Sequence, residues 1–370
     1  MSHRPSKITI GEKVSLEKIE SAFRQYWRDL VETGSEEAVL KASTLNLIIL
    51  VDRKTVFEEL LSDIHEIVSH HPGRMIVAFI DPDVDSDEID AHVSAYSQKS
   101  KEGKIQISAQ VVVLKTGRAG SIHLAGALLP LLLADLPVYL WCTCTQVLAE
   151  PDFGILLNYA DRLIVRTANE YTSTEEMANS IKQILAYNQK CKISDITWSE
   201  LTDWREAIAQ FFDTKNNQHY LGTLEEIEIT FSGDKLSNHA FLLAGWLSSQ
   251  LKNVPNSPDI QNASTIYFKR QRDKLSIKIH RIKLEGVKGL YKIKLIAKEN
   301  GRTVILNATK QQDNFIETTI QKGGTLQQPN YVAAAPKSSA IMLCNELDFL
   351  QQDIIYVHAC EQILEFTNEN

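Results

Sequence analysis

The sequence predicts an α/β protein in two parts. The first is an N-terminal, mostly parallel Rossmann-like sheet domain without a dinucleotide fingerprint. The second is an α+β domain with a mainly antiparallel sheet. Three observations predict this. Near-continuous apolar runs at 44–51, 75–80, 137–141 and 162–166 alternate with helical patterns, as strands buried on both faces do. Beyond about residue 190 the texture changes to alternating strands with polar turns between them. Two helical stretches then close the chain, and strands followed by helices read as α+β. The expected domains are 1–190 and 191–370.

Taken in order, Leu16, Ile19, Ala22 or Phe23, Tyr26 and Leu30 share one face of an opening helix over 16–32. A strand at 44–51, a helix at 56–68, the turn His71-Pro72-Gly73-Arg74 and a strand at 75–80 follow. An acidic loop over 81–90 leads to a strand pair at 91–97 and 104–114. The chain continues as helix 120–133, strand 137–141, helix 152–160, strand 162–166 and helix 174–188. The apolar stretch from Leu124 to Trp141 does not read as a membrane span, because Asp135, Pro130 and Pro137 interrupt it. In the second part the sequence predicts helix 204–212, strand 224–231 and helix 237–251. Strands near 264–270, 274–284, 289–297, 302–308 and 314–320 follow, then a linker over 322–337.

Composition narrows the function. Of 370 residues 44% are hydrophobic and 23% charged, which excludes wholesale disorder and a fibrous repeat. The net charge of −8 argues against a surface devoted to nucleic acid. Five cysteines, scattered at 142, 144, 191, 344 and 360, do not form a secreted disulfide framework. No signal peptide is readable, and the reading places the protein in the cytoplasm. The chain holds no G-x-G-x-x-G after a strand, no P-loop, no H-E-x-x-H, no G-x-S-x-G and no C-x-x-C. No catalytic residue, cofactor or metal is therefore implied.

Four features remain as candidates. The turn holding Gly117, Arg118, Gly120 and Ser121 joins a strand to a helix. It reads as an anion site or as a plain turn with Ser121 as N-cap. With the first reading the protein is a sugar-phosphate- or nucleotide-binding enzyme or sensor. Cys142 and Cys144 share one strand face, either as a redox pair or as structural thiols. Residues 265–300 hold eleven Lys or Arg against three acids, a local +8. There Lys278, Lys292 and Lys294 share an outer sheet face, with a bulge expected at Arg281. That face reads as a docking patch for an acidic partner or as a solvated face protecting strand edges. Nucleic-acid binding is a further alternative, although no aromatic platform accompanies the lysines. Finally, Trp204, Ala207, Ile208, Phe211 and Phe212 form a helical apolar stripe, capped at Thr202 or Asp203 with Glu206 completing a box. Its default role is packing between domains, but Trp198, Trp204 and Arg205 also have the chemistry of an interaction hot spot.

At this last segment the sequence resembles the glucose-6-phosphate dehydrogenase assembly protein family, OpcA. The family signature D-x-x-W-x-x-L-x-x-W-R-x-x-[LI]-A-Q-x-F-D stands here as Asp195, Trp198, Leu201, Trp204, Arg205, Ala209, Gln210, Phe212 and Asp213. Further family-like pieces occur in order: Leu45-Asn46-Leu47-Ile48, His71 to Arg74, Pro130 to Trp141, Ala160 to Val165, and Leu242 to Leu247. Cys142 and Arg166 depart from the pattern, where a second aromatic and an acid are expected. The resemblance implies a non-catalytic partner of glucose-6-phosphate dehydrogenase that promotes its assembly or active state.

Overall fold

The computed structural model describes residues 11–33, 40–41, 43–52, 54–99, 105–143, 148, 153–251, 256–262, 265–269, 275–311 and 314–367. They divide into two compact units. Unit 1 comprises Met1–Arg166, Tyr187–Ile196 and Ser338–Gln352, and unit 2 comprises Thr167–Ala186, Thr197–Lys337 and Asp353–Asn370.

Unit 1 is built on a nine-stranded sheet. Its spatial order is Glu12–Val14, Ile89–Lys99, Ile105–Gly117, Gly73–Asp81, Leu45–Val51, Val138–Cys142, Arg162–Val165 and Lys192–Asp195, with Leu40–Lys41 beside Ile105–Gly117. From Ile105–Gly117 to Lys192–Asp195 every pairing is parallel, while Ile89–Lys99 and Ile105–Gly117 form an antiparallel pair. The chain winds outward from Leu45–Val51 in one direction and from Val138–Cys142 in the other, a doubly wound order. Leu45–Val51 and Val138–Cys142 are buried end to end, which explains why their sequences lack polar alternation.

One face of this sheet is covered by helix Lys54–His70 through Phe57, Leu60, Ile64 and Ile67. Helix Ser339–Asp348 adds Ala340, Leu343 and Leu347 to the same apolar cluster, together with Trp141 and Ile164. Three buried polar side chains fix the connections. Asn46 bonds both ways with Leu133, through its main-chain N–H (2.8 Å) and its carbonyl (2.9 Å). The Arg74 guanidinium lies 5.1 Å from the Phe23 ring and donates to Gln110 Oε1, to the Leu131 carbonyl (2.6 Å) and to Glu20. Arg162 donates to Ser194 Oγ and to the Phe349 and Gln351 carbonyls at 2.6–2.7 Å.

Unit 2 holds a second nine-stranded sheet, ordered Asn256–Asn262, Thr265–Lys269, Ser276–Ile282, Leu224–Ser232, Gly289–Glu299, Arg302–Lys310, Phe315–Lys322 and Thr325–Leu326. Asn330–Ala333 pairs with Phe315–Lys322. Among the described residues of this sheet, only the pairing of Leu224–Ser232 with Ser276–Ile282 is parallel. Helix Asn238–Gln250 packs on the central strands and on helix Ile354–Thr367. A Cβ at Gly245 would lie 2.3 Å from the Ala359 carbonyl oxygen, so only glycine permits that helix contact. Among the described residues no helix is long and apolar enough to cross a membrane.

Several expected elements differ. The helix expected over 120–133 shrinks to Leu124–Leu128 between 3-10 turns Ala119–His123 and Leu129–Leu131. Pro130 ends it, and Asp135 takes a left-handed φ of 64°. The supposed linker over 322–337 contains strands Thr325–Leu326 and Asn330–Ala333. No side chain caps helix Thr202–Gln210: Asp203 instead pairs with Lys337 at 2.8 Å, and Glu206 accepts from Gln210. Ser276–Ile282 runs in unbroken register against Leu224–Ser232. The irregularity expected at Arg281 falls at Tyr291, which the pairing of Leu224–Ser232 with Gly289–Glu299 skips.

Candidate functional site

The Trp-Arg segment lies within unit 2 as a packed node. Trp198 is 2% exposed and Trp204 7% exposed, so neither indole offers a broad face to solvent. The Trp198 indole N–H donates to Asp353 Oδ2 at 2.8 Å, and its ring lies 5.8 Å from that of Tyr356. Over it the Arg205 guanidinium stacks 3.8 Å from the ring centroid and donates to Thr202 Oγ1 at 3.1 Å. The signature residues thus hold helix Thr202–Gln210 to the start of helix Ile354–Thr367.

The lysine face is more neutral than its local charge suggests. Inward Ile293, Leu295 and Ala297 are buried, while Lys292, Lys294 and Ile296 are half-exposed, as alternation requires. Between the lysine strands runs Leu224–Ser232, which places Glu226 and Glu228 on the same face. Lys278 pairs with Glu226 at 2.6 Å and Lys294 with Glu228 at 3.3 Å. Burial pushes the Glu226 carboxyl upward, and its contacts with Glu228 and Lys278 outweigh that, leaving its pKa below the ordinary value. Lys292 lies opposite Thr230 and Thr309, and no ion pair involves it among the described residues. Among the described residues it is the lysine of the three that no carboxylate pairs with.

The turn at 117–121 packs against the acidic loop, and Ser121 is not the expected N-cap. The amides of Arg118 and Gly120 donate to the Val84 and Ser86 carbonyls at 2.9 and 3.0 Å, and that of Ser121 to the Arg118 carbonyl. A Cβ at Gly117 would lie 2.4 Å from the Val84 oxygen, so the acidic loop sits directly on the turn. Ser121 Oγ donates to the Arg118 carbonyl rather than capping a helix. An anion would find these N–H groups already bonded. Cys142 is fully buried in its strand, and Cys144 lies outside the described residues. Burial pushes the Cys191 and Cys344 thiols up to about 11.

One feature of unit 1 escaped the sequence reading. Phe349 and Leu350 are 58% and 73% exposed, just past helix Ser339–Asp348. Their backbone is held by Arg162 on the Phe349 carbonyl and by Lys192 Nζ on the Leu350 carbonyl at 2.7 Å. Two adjacent apolar side chains are therefore presented outward from an anchored loop. The available signal was the apolar pair Phe349-Leu350 directly after the helix, with polar Gln351 and Gln352 behind it.

A doubly wound sheet unit joined to a unit with an antiparallel-rich sheet defines a two-part α/β protein with a Rossmann-like first sheet. Residues 64–183 match a family model described as the glucose-6-phosphate dehydrogenase subunit N-terminal domain of OpcA, and residues 191–360 match the corresponding C-terminal domain. The chain belongs to the OpcA family. It is 27% identical over 203 residues to a protein of Synechocystis sp. provisionally named OxPP cycle protein OpcA, covering 53% of this chain and 40% of that protein. The similarly named protein of Synechococcus elongatus is 26% identical over 194 residues, covering 52% and 42%. The match thus spans about two fifths of the length of these relatives. Among solved structures, the 3-ketoreductase KijD10 from Actinomadura kijaniata aligns with a TM-score of 0.48 at 6% identity, covering 87% of this chain and 95% of that one.

Proposed function

We propose that the protein is a non-catalytic cytoplasmic assembly factor that binds glucose-6-phosphate dehydrogenase and favours its active state in the oxidative pentose phosphate pathway. The observation that carries this reading is the match of both parts of the chain, in order, to domains described as a glucose-6-phosphate dehydrogenase subunit. An activator of this kind works only by binding the active conformation better than the inactive one. A coupling of about 1–3 kcal/mol gives a 5–150-fold change in apparent affinity.

Two surfaces are suited to docking. The half-exposed face around Lys292 offers an acidic surface a cation that has no carboxylate partner among the described residues. The Phe349–Leu350 tip offers an apolar anchor whose backbone is already held, so little ordering remains on binding. The node around Trp198, Trp204 and Arg205 supports unit 2 from within and acts on a partner through what it positions. The test mixes the purified protein with its cognate dehydrogenase and titrates glucose 6-phosphate. The expected result is a lowered half-saturation point and a larger hydrodynamic species. If neither moves, the reading fails.

A further inference from the structure

The doubly wound sheet places a cavity where folds of this kind take ligands. Leu45–Val51 and Val138–Cys142 are neighbours from which the chain winds away in opposite directions, so the gap beyond their carboxyl ends is the topological switch point. A cavity of about 180 Å³ lies there, walled by Glu59 and Leu60 of helix Lys54–His70, by Trp141 and Thr143, by Arg166 and by Ser339. Every wall residue belongs to unit 1.

Its polar lining is rich in donors. Trp141 is 3% exposed, and its indole N–H is buried without an acceptor among the described residues. A buried donor left unpaired is costly, and a ligand oxygen would recover that cost. Arg166 donates to Ser339 Oγ at 3.1 Å, which holds the guanidinium at the cavity wall. Ser339 is the first residue of a ten-residue helix capped by Ser338, so the positive end of that helix opens onto the same space. Glu59 supplies the opposite chemistry, a carboxylate able to accept from hydroxyl groups.

Size and backbone exclude a dinucleotide. Residues 52–55, after strand Leu45–Val51, contain none of the glycines that a dinucleotide-binding turn uses to bring its main chain close to a pyrophosphate. The volume is also below the roughly 300–1,000 Å³ of sites for larger ligands. We propose that this cavity binds a phosphate monoester of a small polyol, with the Trp141 indole N–H, Arg166 and the Ser339 helix terminus on the phosphate and Glu59 on a hydroxyl. This site is independent of any docking to a dehydrogenase.

The test follows the indole N–H resonances of the full chain, labelled with ¹⁵N at tryptophan, with Trp141→Phe identifying the Trp141 signal. Glycerol phosphate and inorganic phosphate are the probes. The expected result is a saturable shift of the Trp141 signal, with glycerol phosphate binding more tightly than inorganic phosphate. Arg166→Gln should weaken both about tenfold or more at an unchanged thermal midpoint, the loss expected for one charged hydrogen bond. If that variant does not fold, Glu59→Gln on the exposed side of its helix must selectively weaken glycerol phosphate. Absence of a saturable shift overturns the proposal. So does equal affinity for the two probes, or binding indifferent to the variant that folds.

Discussion

Arg205 stacks its guanidinium 3.8 Å above the Trp198 indole, and that indole in turn donates to Asp353 at 2.8 Å. Asp353 also accepts from the Tyr356 amide at 3.0 Å through its other oxygen, so one carboxylate joins the tryptophan to the start of a helix. Trp198→Phe keeps most of the apolar packing and leaves Asp353 Oδ2 without this donor. The expected loss is about 1–3 kcal/mol, read as a lower urea midpoint. Arg205→Lys removes the planar stack and is expected to lose less, about 0.5–1 kcal/mol. A larger loss in Arg205→Lys than in Trp198→Phe would show that the stack dominates the node.

Arg74 is the parallel case in unit 1. Its side chain is 2% exposed, while its acidic partner Glu20 is 49% exposed, so solvent screens that ion pair. What Arg74→Met removes is chiefly the donor to buried Gln110 and to the Leu131 carbonyl. Two acceptors left in the interior predict a loss of about 3 kcal/mol in chemical unfolding. Glu20→Gln should change stability far less. Equal effects of the two substitutions would place the energy in the ion pair instead.

His71 gives unit 1 an acid-side weakness. Burial depresses its pKa below the ordinary 6.5, against the opposing pull of Asp348, and its Nε2–H is donated to the Cys344 carbonyl at 3.1 Å. The unfolded chain therefore takes up a proton at a higher pH than the folded one. Stability is full above about 6.5 and is lost as the pH falls through the folded value. His92 is shifted the same way, by burial and then by Lys115. Unfolding midpoints measured from pH 7.5 down to 5 should fall for the wild type. The slope should be shallower in His71→Gln, and an unchanged slope would remove His71 as its source.

Much of the sheet architecture was legible, for a physical reason. Leu45–Val51 and Val138–Cys142 are buried on both faces, so their sequences carry a continuous apolar signal that needs no partner to be recognised. Lys192–Asp195 is an edge strand of four residues with polar or charged side chains at three of them, and nothing local marks it. Helix Ser339–Asp348 reads as a helix, but its place in unit 1 depends on Trp141 and Ile164, far away in the chain. The cavity is hidden by the same distance, since its polar groups at 59, 141, 166 and 339 converge only after folding. The charge ladder is not legible because the +8 lies along 265–300, while the neutralising Glu226 and Glu228 come from an earlier strand inserted between the lysines.

Thiol chemistry follows from burial. Cys142, Cys191, Cys344 and Cys360 are all buried, and burial lifts the Cys191 and Cys344 thiols to about 11. At neutral pH these two are protonated and poor nucleophiles. Alkylation of the native protein near pH 7.5, followed by peptide mass spectrometry, should leave all four unmodified until the protein is unfolded. Rapid native labelling of Cys191 or Cys344 would mean that the surrounding element opens locally, because the closed structure supplies neither access nor thiolate.

The two surfaces proposed for docking separate by charge and by hydrophobicity. Lys292→Glu reverses a half-exposed cation that no described carboxylate neutralises, so its effect should fall on an acidic partner and weaken as salt rises. Leu350→Asp places a charge on a side chain already 73% exposed, so the fold should tolerate it. If the apolar tip is the anchor, that change should slow no folding step yet weaken dehydrogenase binding by about tenfold or more, with little salt dependence. Lys278→Met is the control: it breaks the pair with Glu226 and alters the face without adding a negative charge. Binding isotherms for the three variants at two salt concentrations assign the interface to the sheet face, to the tip or to both. Wild-type affinity in both Lys292→Glu and Leu350→Asp would remove these surfaces from the interface.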